Sequence, residues 1–322
     1  MHKPATENTS TEKTNKMPKA AFVIPLVLAV ILVVGLVVPI PLLSRSFGVF
    51  FDVMHGPAFA LFAAILVHML LRWTQLKRLP IVMGVWIFLT GSGILTEILQ
   101  SFIGRTASWH DIEANTLGVT AGVLWTSTRN VDSRRLRGWC TAVSILLILI
   151  PAVNVPFVLT DCIIQQRDWP MLASFERQLE LIRWKVLDTR IARTSEHVTH
   201  GKSSLRVEFD KTDNPTIASG SLPNNWAGEK ELAFDVTIDN GPEVELLVKV
   251  FDVDHKCGDP TNDFEKIFRL EPGTHEIEIP LVDVANGPAG RKLDLSRITE
   301  LQFILINPDR PRVLYFDNIR LN

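Results

Sequence analysis

The stretch "GILTEILQSFIGRTASWHDIEANTLGV" (residues 93–119) decides how the first half of this chain folds. It begins as an apolar run of the kind that crosses a bilayer, and it turns polar within a few residues. Ionisable groups are costly in hydrocarbon and usually pair with one another or line a cavity. The stretch therefore predicts the end of one membrane helix, a short connection and the start of the next. Its polar groups include Glu97, Gln100, Arg105, His110, Asp111, Glu113 and Asn115.

Apolar stretches on both sides of this segment complete a membrane domain. Runs of this length and composition predict five spanning helices. The predicted spans are residues 20–43, 49–71, 79–102, 111–127 and 138–160, which together define a membrane domain over 20–160. The polar residues 1–19 before them are expected to be a disordered tail. Residues 161–168 are expected to be a linker to a second domain over 169–322.

Charge is divided unevenly along the chain. The whole sequence carries a net charge of −2, but residues 1–167 hold 14 Lys and Arg against 8 Asp and Glu, whereas the remainder is acidic. This acidic second half argues against nucleic acid as a partner, because binding to nucleic acid depends on neutralising phosphates. Basic residues cluster in the tail and in the second and fourth connections, which predicts that these face the cytoplasm. Five spans would then place residues 169–322 outside, in the periplasm or beyond the cell, anchored to a bacterial cytoplasmic membrane.

Three of the predicted spans each carry a polar pair near the same outer end. Residues three or four apart share one face of a helix, so each pair points in one direction. The pairs are Asp52 with His55, Glu97 with Gln100, and Asp111 with Asn115, and Arg105 lies in the connection above them. Gly118 and Gly122 add a spacing that lets helices approach closely, although two glycines in a helix of small residues also occur by chance.

Two interpretations of this polar cluster remain open. It could be a structural network in which Arg105 neutralises a carboxylate and hydrogen bonds fasten the helices. It could instead be a site, with His55, Asp52 and Glu97 as catalytic acid–base groups. In that case Gln100, Arg105, Asp111 and Asn115 would bind a polar lipid headgroup. His68, near the other end of its span, is interpreted as an interfacial residue.

The same residues carry a family resemblance over about 45–128. "DVMHGPAFALFA" followed by "TEILQSFIGRTASWHDIEANTLGVTAGVL" resembles the VanZ-like membrane protein family, including D-x-x-H, E-x-x-Q, an arginine and D-x-x-x-N-x-x-G. That family takes its name from a member linked to glycopeptide antibiotic resistance and has no agreed biochemical activity. The resemblance implies a role in the cell envelope and a shared polar site, and it names no reaction.

The second half of the chain has the period of β-strands. "ELAFDVTID", "EVELLVKVFDV", "HEIEIPL", "ELQFILIN" and "RVLYFDNIRL" alternate apolar and polar residues, with Gly and Pro clusters between them. Several short strands punctuated in this way predict an antiparallel, all-β sandwich. "SFERQ", "EHVTHGKSSLRVEF" and the terminal "LYFDNIRL" resemble the galactose-binding-like jelly rolls that occur as carbohydrate-binding modules. The resemblance covers about 169–322.

The resemblance to these modules also implies a structural calcium ion (Ca²⁺). Its positions match Glu176 and Asp317, and carboxylate oxygens suit calcium. Two carboxylates are a small ligand set, and bracing of strand ends by the same residues is the alternative. No other cofactor is expected. Exposed aromatic platforms, which sugar binding usually needs, are scarce: the domain has Trp169, Trp184, Trp226 and Tyr315, with Trp226 expected in the core.

The sequence therefore supports three functional hypotheses. The first is an envelope protein whose sandwich engages a glycan or a lipid-linked glycan. The second is a membrane enzyme acting on a polar lipid headgroup at the outer leaflet. The third is a scaffold without a ligand. No G-x-S-x-G, HExxH, P-loop or paired-carboxylate glycosidase pattern assigns a reaction to the sandwich.

Overall fold

The computed structural model describes residues 45–102, 108–129, 131–256 and 260–322. The predicted tail (1–19), the first predicted span (20–43) and Arg105 lie outside these residues. The chain divides into two compact units, Met1–Pro156 and Phe157–Asn322. The helices are α1 Arg45–Trp73, α2 Arg78–Phe102, α3 Trp109–Thr128, α4 Arg134–Leu149, α5 Val155–Asp168 and α6 Leu281–Ala285.

Within the described residues, three helical stretches are long and apolar enough to cross a membrane. They are Val53–Trp73, Arg78–Leu99 and Arg134–Asp168. The fourth predicted span is the helix α3, which is not among the three, because Asp111 and Glu113 and several Thr and Asn residues lower its hydropathy. Small buried residues make α3 the packing centre of the helical unit.

Close backbone contact holds α1 against α3. A Cβ atom added at Gly118 would lie 2.2 Å from the carbonyl oxygen of Gly56, and one at Gly122 would lie 2.1 Å from that of Ala60. Two helices can approach this closely only where side chains are absent, which is the use that membrane helices make of glycine. The pair of glycines is therefore a contact surface rather than a chance feature of composition.

The fifth predicted span (138–160) is not one straight helix. After α4 a short 3-10 turn, Ile150–Ala152, interrupts the α-helix before α5 begins. Pro151 has no N–H to donate, which favours a break at this point. The predicted linker (161–168) is helical, since these residues form the end of α5.

Within the second unit, the carboxy-terminal end of α5 contacts the sandwich through buried polar groups. Asp161 accepts hydrogen bonds from the guanidinium of Arg183, with Nη2 at 2.7 Å and Nε at 3.0 Å from Oδ1. Both side chains are buried, at 0% and 3% exposure. Gln165 also donates to the carbonyl oxygen of Ser221 at 2.7 Å. These contacts join the helical residues 161–168 to the sandwich.

The second unit is a sandwich of two antiparallel sheets, as the strand pattern predicts. One sheet has the order β3-β4-β11-β6-β9 with β1 also paired to β11, and the other has the order β2-β5-β10-β7-β8. The strands are β1 Met171–Ala173, β2 Lys185–Leu187, β3 Thr189–Thr194, β4 Ser204–Phe209, β5 Thr216–Ser219, β6 Glu231–Ile238, β7 Val244–Asp252, β8 Phe264–Leu270, β9 Gly273–Pro280, β10 Ile298–Leu305 and β11 Arg312–Leu321. Short 3-10 turns cover Gln178–Arg183 and Pro260–Asn262.

Aromatic side chains from both sheets fill the space between them. The ring of Phe303 lies 4.9 Å from that of Phe234 and 4.9 Å from that of Phe316, centroid to centroid. Trp226 is fully buried in the same core, as its sequence position predicts. A core of this kind fixes the register of each strand, because a shift by one residue would turn its apolar side outward.

Candidate functional site

The helical unit brings part of the predicted polar cluster together in two layers, one helical turn apart. In the first layer, His55 of α1 lies beside Asn115 of α3, with Nδ1 and Oδ1 3.2 Å apart. Gly93 of α2 makes room for this amide, because a Cβ at that position would lie 3.3 Å from Asn115 Nδ2. Asn115 is therefore enclosed by three helices and is only 1% exposed.

The second layer lies one turn further along α2 and α3. Glu97 is 1% exposed, and its Oε2 accepts a hydrogen bond from the backbone N–H of Ser108 at 3.1 Å. Ser108 caps α3, and its Oγ accepts from the N–H of Asp111 at 3.4 Å. Glu97 thus holds the start of α3, which is a structural role that the sequence alone does not reveal.

Two buried polar atoms of this cluster have no hydrogen-bond partner in the described part of the chain. They are Glu97 Oε1 and Asn115 Nδ2. A buried acceptor or donor without a partner is costly, so such atoms usually meet water, an ion or a ligand. The structure thus brings four of the predicted site residues together: His55, Glu97, Asp111 and Asn115.

The backbones of Asp52 and Gln100 lie in α1 and α2. The roles predicted for Asp52, Gln100 and Arg105 remain predictions.

In the sandwich, Glu176 and Asp317 hold one loop, residues 197–203, from two sides. Glu176 Oε1 accepts hydrogen bonds from the N–H groups of Lys202 at 2.7 Å and Ser203 at 2.9 Å. These backbone hydrogen bonds lower the pKa of Glu176. Gly201 has φ +75°, and a Cβ there would lie 2.4 Å from the same carboxylate oxygen, so this position requires glycine.

Asp317 holds the other side of the loop. Its Oδ2 accepts from the N–H groups of Thr199 and His200, each at 2.8 Å. Burial raises the pKa of Asp317, and these backbone donors oppose that rise. Asp235 joins the arrangement through the hydroxyl of Thr199 at 2.5 Å. N–H groups thus occupy carboxylate oxygens that the predicted calcium ion would need.

The calcium prediction does not fit this geometry. Calcium takes six to eight oxygen ligands, and the described residues contain no group of three or more His, Cys, Asp or Glu side chains placed to hold a metal ion. The two carboxylates instead satisfy four backbone donors of the loop. This is the bracing role that the sequence leaves open as the alternative.

The predicted aromatic residues do not provide a platform for sugar rings. Trp184 is 6% exposed, Tyr315 is 7% exposed, and Trp169 packs partly buried against the core. The hydroxyl of Tyr315 donates to Glu196 Oε2 at 2.9 Å. Among the tryptophan and tyrosine residues of the sandwich, only Trp169 is partly exposed, so they do not form a platform of several rings.

The outer surface of the five-stranded sheet carries a different set of groups. Its central strands pair Gln302 with Lys249, and Lys249 with Glu265, across β10, β7 and β8. Because Val248, Val250 and Phe303 point into the core, these alternate side chains point outward. Gln302 donates to Glu300, and Lys249 forms an ion pair with Glu265.

An apolar row lies beside these polar groups on the same surface. Ile304 stands between Thr216 and Leu247, and Leu247 is paired with Ile267. Ile267 is 55% exposed, whereas Ile304 is only 8% exposed. We call the polar and apolar rows together the outer face of the second sheet. The alternating patterns of "EVELLVKVFDV" and "ELQFILIN" indicate which side chains point outward from the sheet. They do not indicate which residues lie side by side, because that depends on strand register.

Comparison with known proteins adds a partial match. No protein-family model matches the chain. A stretch of 133 residues is 26% identical to β-agarase A of Vibrio sp. (strain JT0107), covering 40% of this chain and 13% of that protein. The chain thus spans about an eighth of the length of this curated relative.

Solved structures are similar to the sandwich at low identity. A family 11 carbohydrate-binding module from Clostridium thermocellum, in complex with a mixed-linked tetrasaccharide, aligns at 16% identity and a TM-score of 0.37, covering 47% of this chain and 93% of that module. An exo-β-agarase aligns at 16% identity and a TM-score of 0.40, covering 47% of this chain and 24% of that protein. The carboxy-terminal sandwich thus resembles carbohydrate-binding modules and regions of agarases.

Proposed function

We propose that this chain is a membrane-anchored, glycan-binding protein of the cell envelope, with the sandwich as its binding module. Three described apolar stretches provide the anchor by length and composition. The local sequence similarity to a part of a β-agarase supports a polysaccharide as the ligand. The basic connections support a cytoplasmic amino terminus and an outer sandwich, and the resemblance of 45–128 to VanZ-like proteins supports an envelope location.

The observation that carries the proposal is the outer face of the second sheet. Sugars present hydroxyl groups and apolar C–H surfaces, and they are bound where precisely placed polar groups lie beside apolar side chains. Gln302, Lys249, Glu300 and Glu265 offer donors and acceptors there, while Leu247 and Ile267 offer apolar surface beside them. Because the face has no exposed tryptophan or tyrosine, hydrogen bonds contribute more to this binding than stacking does.

Affinity electrophoresis of residues 157–322 tests the proposal. This fragment carries its own core, and it would be run in gels containing soluble galactans of the agarose type, mixed-linked glucan or no polysaccharide. We expect retardation by at least one polysaccharide. Replacing Lys249 and Gln302 together by alanine should weaken binding at least about tenfold, because a lost hydrogen bond to a charged group costs about 1.5–3 kcal/mol and a neutral one about 1 kcal/mol.

Arg190→Ala is the matched control for this experiment. Arg190 is an exposed basic residue of the other sheet, in a long ion pair of 3.8 Å with Glu208. It should leave the retardation unchanged. The assignment of the outer face is contradicted if no polysaccharide retards the wild type. It is also contradicted if the control and the double variant lose retardation equally.

A second function is favoured by the orphaned atoms of the helical cluster. Glu97 Oε1 and Asn115 Nδ2 are buried without partners among the described residues, and His55 lies in the same layer as Asn115. This arrangement supports a polar lipid headgroup as the ligand or substrate, with His55 as the acid–base group and Asp52 and Arg105 as predicted partners.

Lipid profiles of expressing cells separate this function from a purely structural cluster. If the cluster acts on a headgroup, the wild-type chain changes the profile, and Glu97→Gln at equal abundance does not. Glu113→Gln, at an exposed carboxylate of the neighbouring helix α3, is the control. The cluster is a structural network instead if expressing the wild-type chain leaves the lipid profile unchanged and Glu97→Gln only lowers the abundance of the protein.

A further inference from the structure

A cavity of about 610 Å³ lies in the helical unit, at the ends of the helices opposite to the polar cluster. It is formed where α1 ends, α2 begins and α3 ends. Along α1 its wall runs through Leu61, Ile65, His68 and Arg72, which lie on one face at helical spacing. This face spans about 16 Å, at 1.5 Å per residue. It passes from apolar side chains at one end to a basic one at the other.

The polar end of the cavity collects positive charge from three separate helices. Arg72 lies in the last turn of α1, Arg78 begins α2, and Arg129 follows α3. No acidic side chain lines the cavity. None of the ion pairs found among the described residues includes any of these three arginines. The cavity therefore has an unbalanced positive charge at one end.

Two of the arginines are held in place by the protein. Arg78 donates from Nη2 to the carbonyl oxygen of Thr126 at 3.0 Å. Its Nε is buried and has no hydrogen-bond partner in the described part of the chain. The guanidinium of Arg129 lies 4.1 Å from the ring centroid of Trp125, a distance at which cation and ring attract each other. These contacts fix the basic groups and leave N–H donors for a ligand.

The position of the cavity defines the chemistry of the ligand. Its apolar wall belongs to Val53–Trp73, a stretch apolar enough to cross a membrane, and Leu61 on that wall is 58% exposed. A ligand that contacts this wall and the arginines must have an apolar chain and an anionic head. Guanidinium groups match the geometry of phosphate oxygens, and basic pockets between membrane helices bind anionic headgroups.

We propose that this cavity binds one anionic glycerophospholipid. The phosphate lies among Arg72, Arg78 and Arg129, and an acyl chain follows the apolar face of α1 past Ile65 and Leu61. His68 stands at the boundary between the two parts, which agrees with its interpretation as an interfacial residue. This inference is independent of the glycan-binding function and of the polar cluster at the other end of the helices.

Native mass spectrometry of the full chain, purified in a mild non-ionic detergent, tests the proposal. The chain is titrated with phosphatidylglycerol and, separately, with phosphatidylcholine. We expect one retained phosphatidylglycerol and much weaker retention of phosphatidylcholine. Replacing Arg72, Arg78 and Arg129 together by glutamine should weaken phosphatidylglycerol binding about 100-fold, because each basic group near an anionic lipid is worth roughly a factor of five.

The fourth connection supplies a matched control. Arg134, Arg135 and Arg137 are exposed and do not line the cavity. Their triple replacement by glutamine removes the same charge from the same region, and it should leave the binding within about twofold of the wild type if the cavity is the site. Equal loss in both triple variants overturns the proposal, because binding would then follow overall charge.

A single variant and a competition with inorganic phosphate complete the test. The single variant Arg129→Gln changes an exposed residue, so it serves if the triple variant does not fold, and about fivefold weaker binding is expected. Inorganic phosphate at millimolar concentration should not displace the lipid, because it lacks the acyl chain. Displacement by phosphate alone, unchanged binding by Arg129→Gln, or equal retention of both lipids overturns the proposal.

Discussion

At the scale of single residues, the buried ion pair between Asp161 and Arg183 joins α5 to the sandwich. Breaking a buried pair leaves one uncompensated charge, at a cost of about 3–5 kcal/mol. We therefore expect Arg183→Leu to destabilise residues 157–322 by about this amount in chemical denaturation. Arg183 also donates to the carbonyl oxygen of Leu172 at 2.7 Å, so some of the loss comes from that group.

A double variant separates the charge effect from the rest. Asp161→Leu combined with Arg183→Leu removes both charges and should be less destabilising than the sum of the single changes. Arg190→Leu, at the exposed pair with Glu208, should change stability by less than about 1 kcal/mol. A double variant as unstable as the sum would show that the pair does not act as a unit.

Asp294 makes the stability of the sandwich depend on acid. Hydrogen bonds from Ser296 and Arg297 lower the pKa of Asp294 to about 2, from 3.8. A depressed pKa in the folded state stabilises the fold above the unfolded value, and this contribution is lost as the pH falls from about 4 to 2. Asp294→Asn should therefore lower the melting temperature of residues 157–322 at pH 7 and have little effect near pH 2.

Thermal melting across this pH range checks the prediction. Asp283→Asn, at an exposed carboxylate of α6, is the control and should have little effect at either pH. If wild type and Asp294→Asn differ by the same amount at pH 7 and near pH 2, the stabilisation does not come from the ionised carboxylate.

At the scale of elements, the contact between α1 and α3 depends on two glycines. Gly118→Ala would place a Cβ 2.2 Å from the carbonyl oxygen of Gly56, so the helices must separate. Overpacking of this kind costs about 1–3 kcal/mol. We expect the purified full chain in detergent to lose its monodisperse peak at a clearly lower temperature than the wild type.

Gly84→Ala is the matched control, because it adds the same methyl group at a helix position that does not contact another helix. Apart from the backbone of its own helix, no atom of the described residues lies within 4 Å of a Cβ at Gly84. Alanine favours a helix over glycine by about 1 kcal/mol, so this variant should be as stable as the wild type or more stable. Equal loss in both variants would mean that any added methyl group disturbs the helices, and the close approach would not be the cause.

The sequence predicts the elements better than it predicts their partners. Long apolar runs and period-two strands depend on local composition, so three membrane-length stretches and the sandwich could be anticipated. The break at Pro151 also has a local cause, although the prediction of one continuous span missed it. The helical end of α5 could not be foreseen, because Arg183 holds it from a later part of the chain.

At the scale of the whole molecule, the same limit applies to the sites. His55, Glu97 and Asn115 could be predicted to lie near one another, because their positions follow from the periodicity of the helices. The outer face of the second sheet requires the register between β7 and β10, which pairs Lys249 with Gln302. Likewise, Glu176 and Asp317 resemble calcium ligands in sequence, but the loop N–H groups that occupy them are known only from the fold.

Co-sedimentation of reconstituted vesicles shows whether one chain combines a membrane anchor with a glycan-binding face. The full chain in lipid vesicles is mixed with purified cell-wall sacculi and, separately, with an insoluble polysaccharide, and the pelleted fraction is measured. Wild-type vesicles should pellet with at least one of these glycans, and vesicles with Lys249→Ala and Gln302→Ala should stay in solution. Wild-type vesicles that never pellet, or double-variant vesicles that pellet equally well, would show that the outer face of the second sheet does not bind glycan.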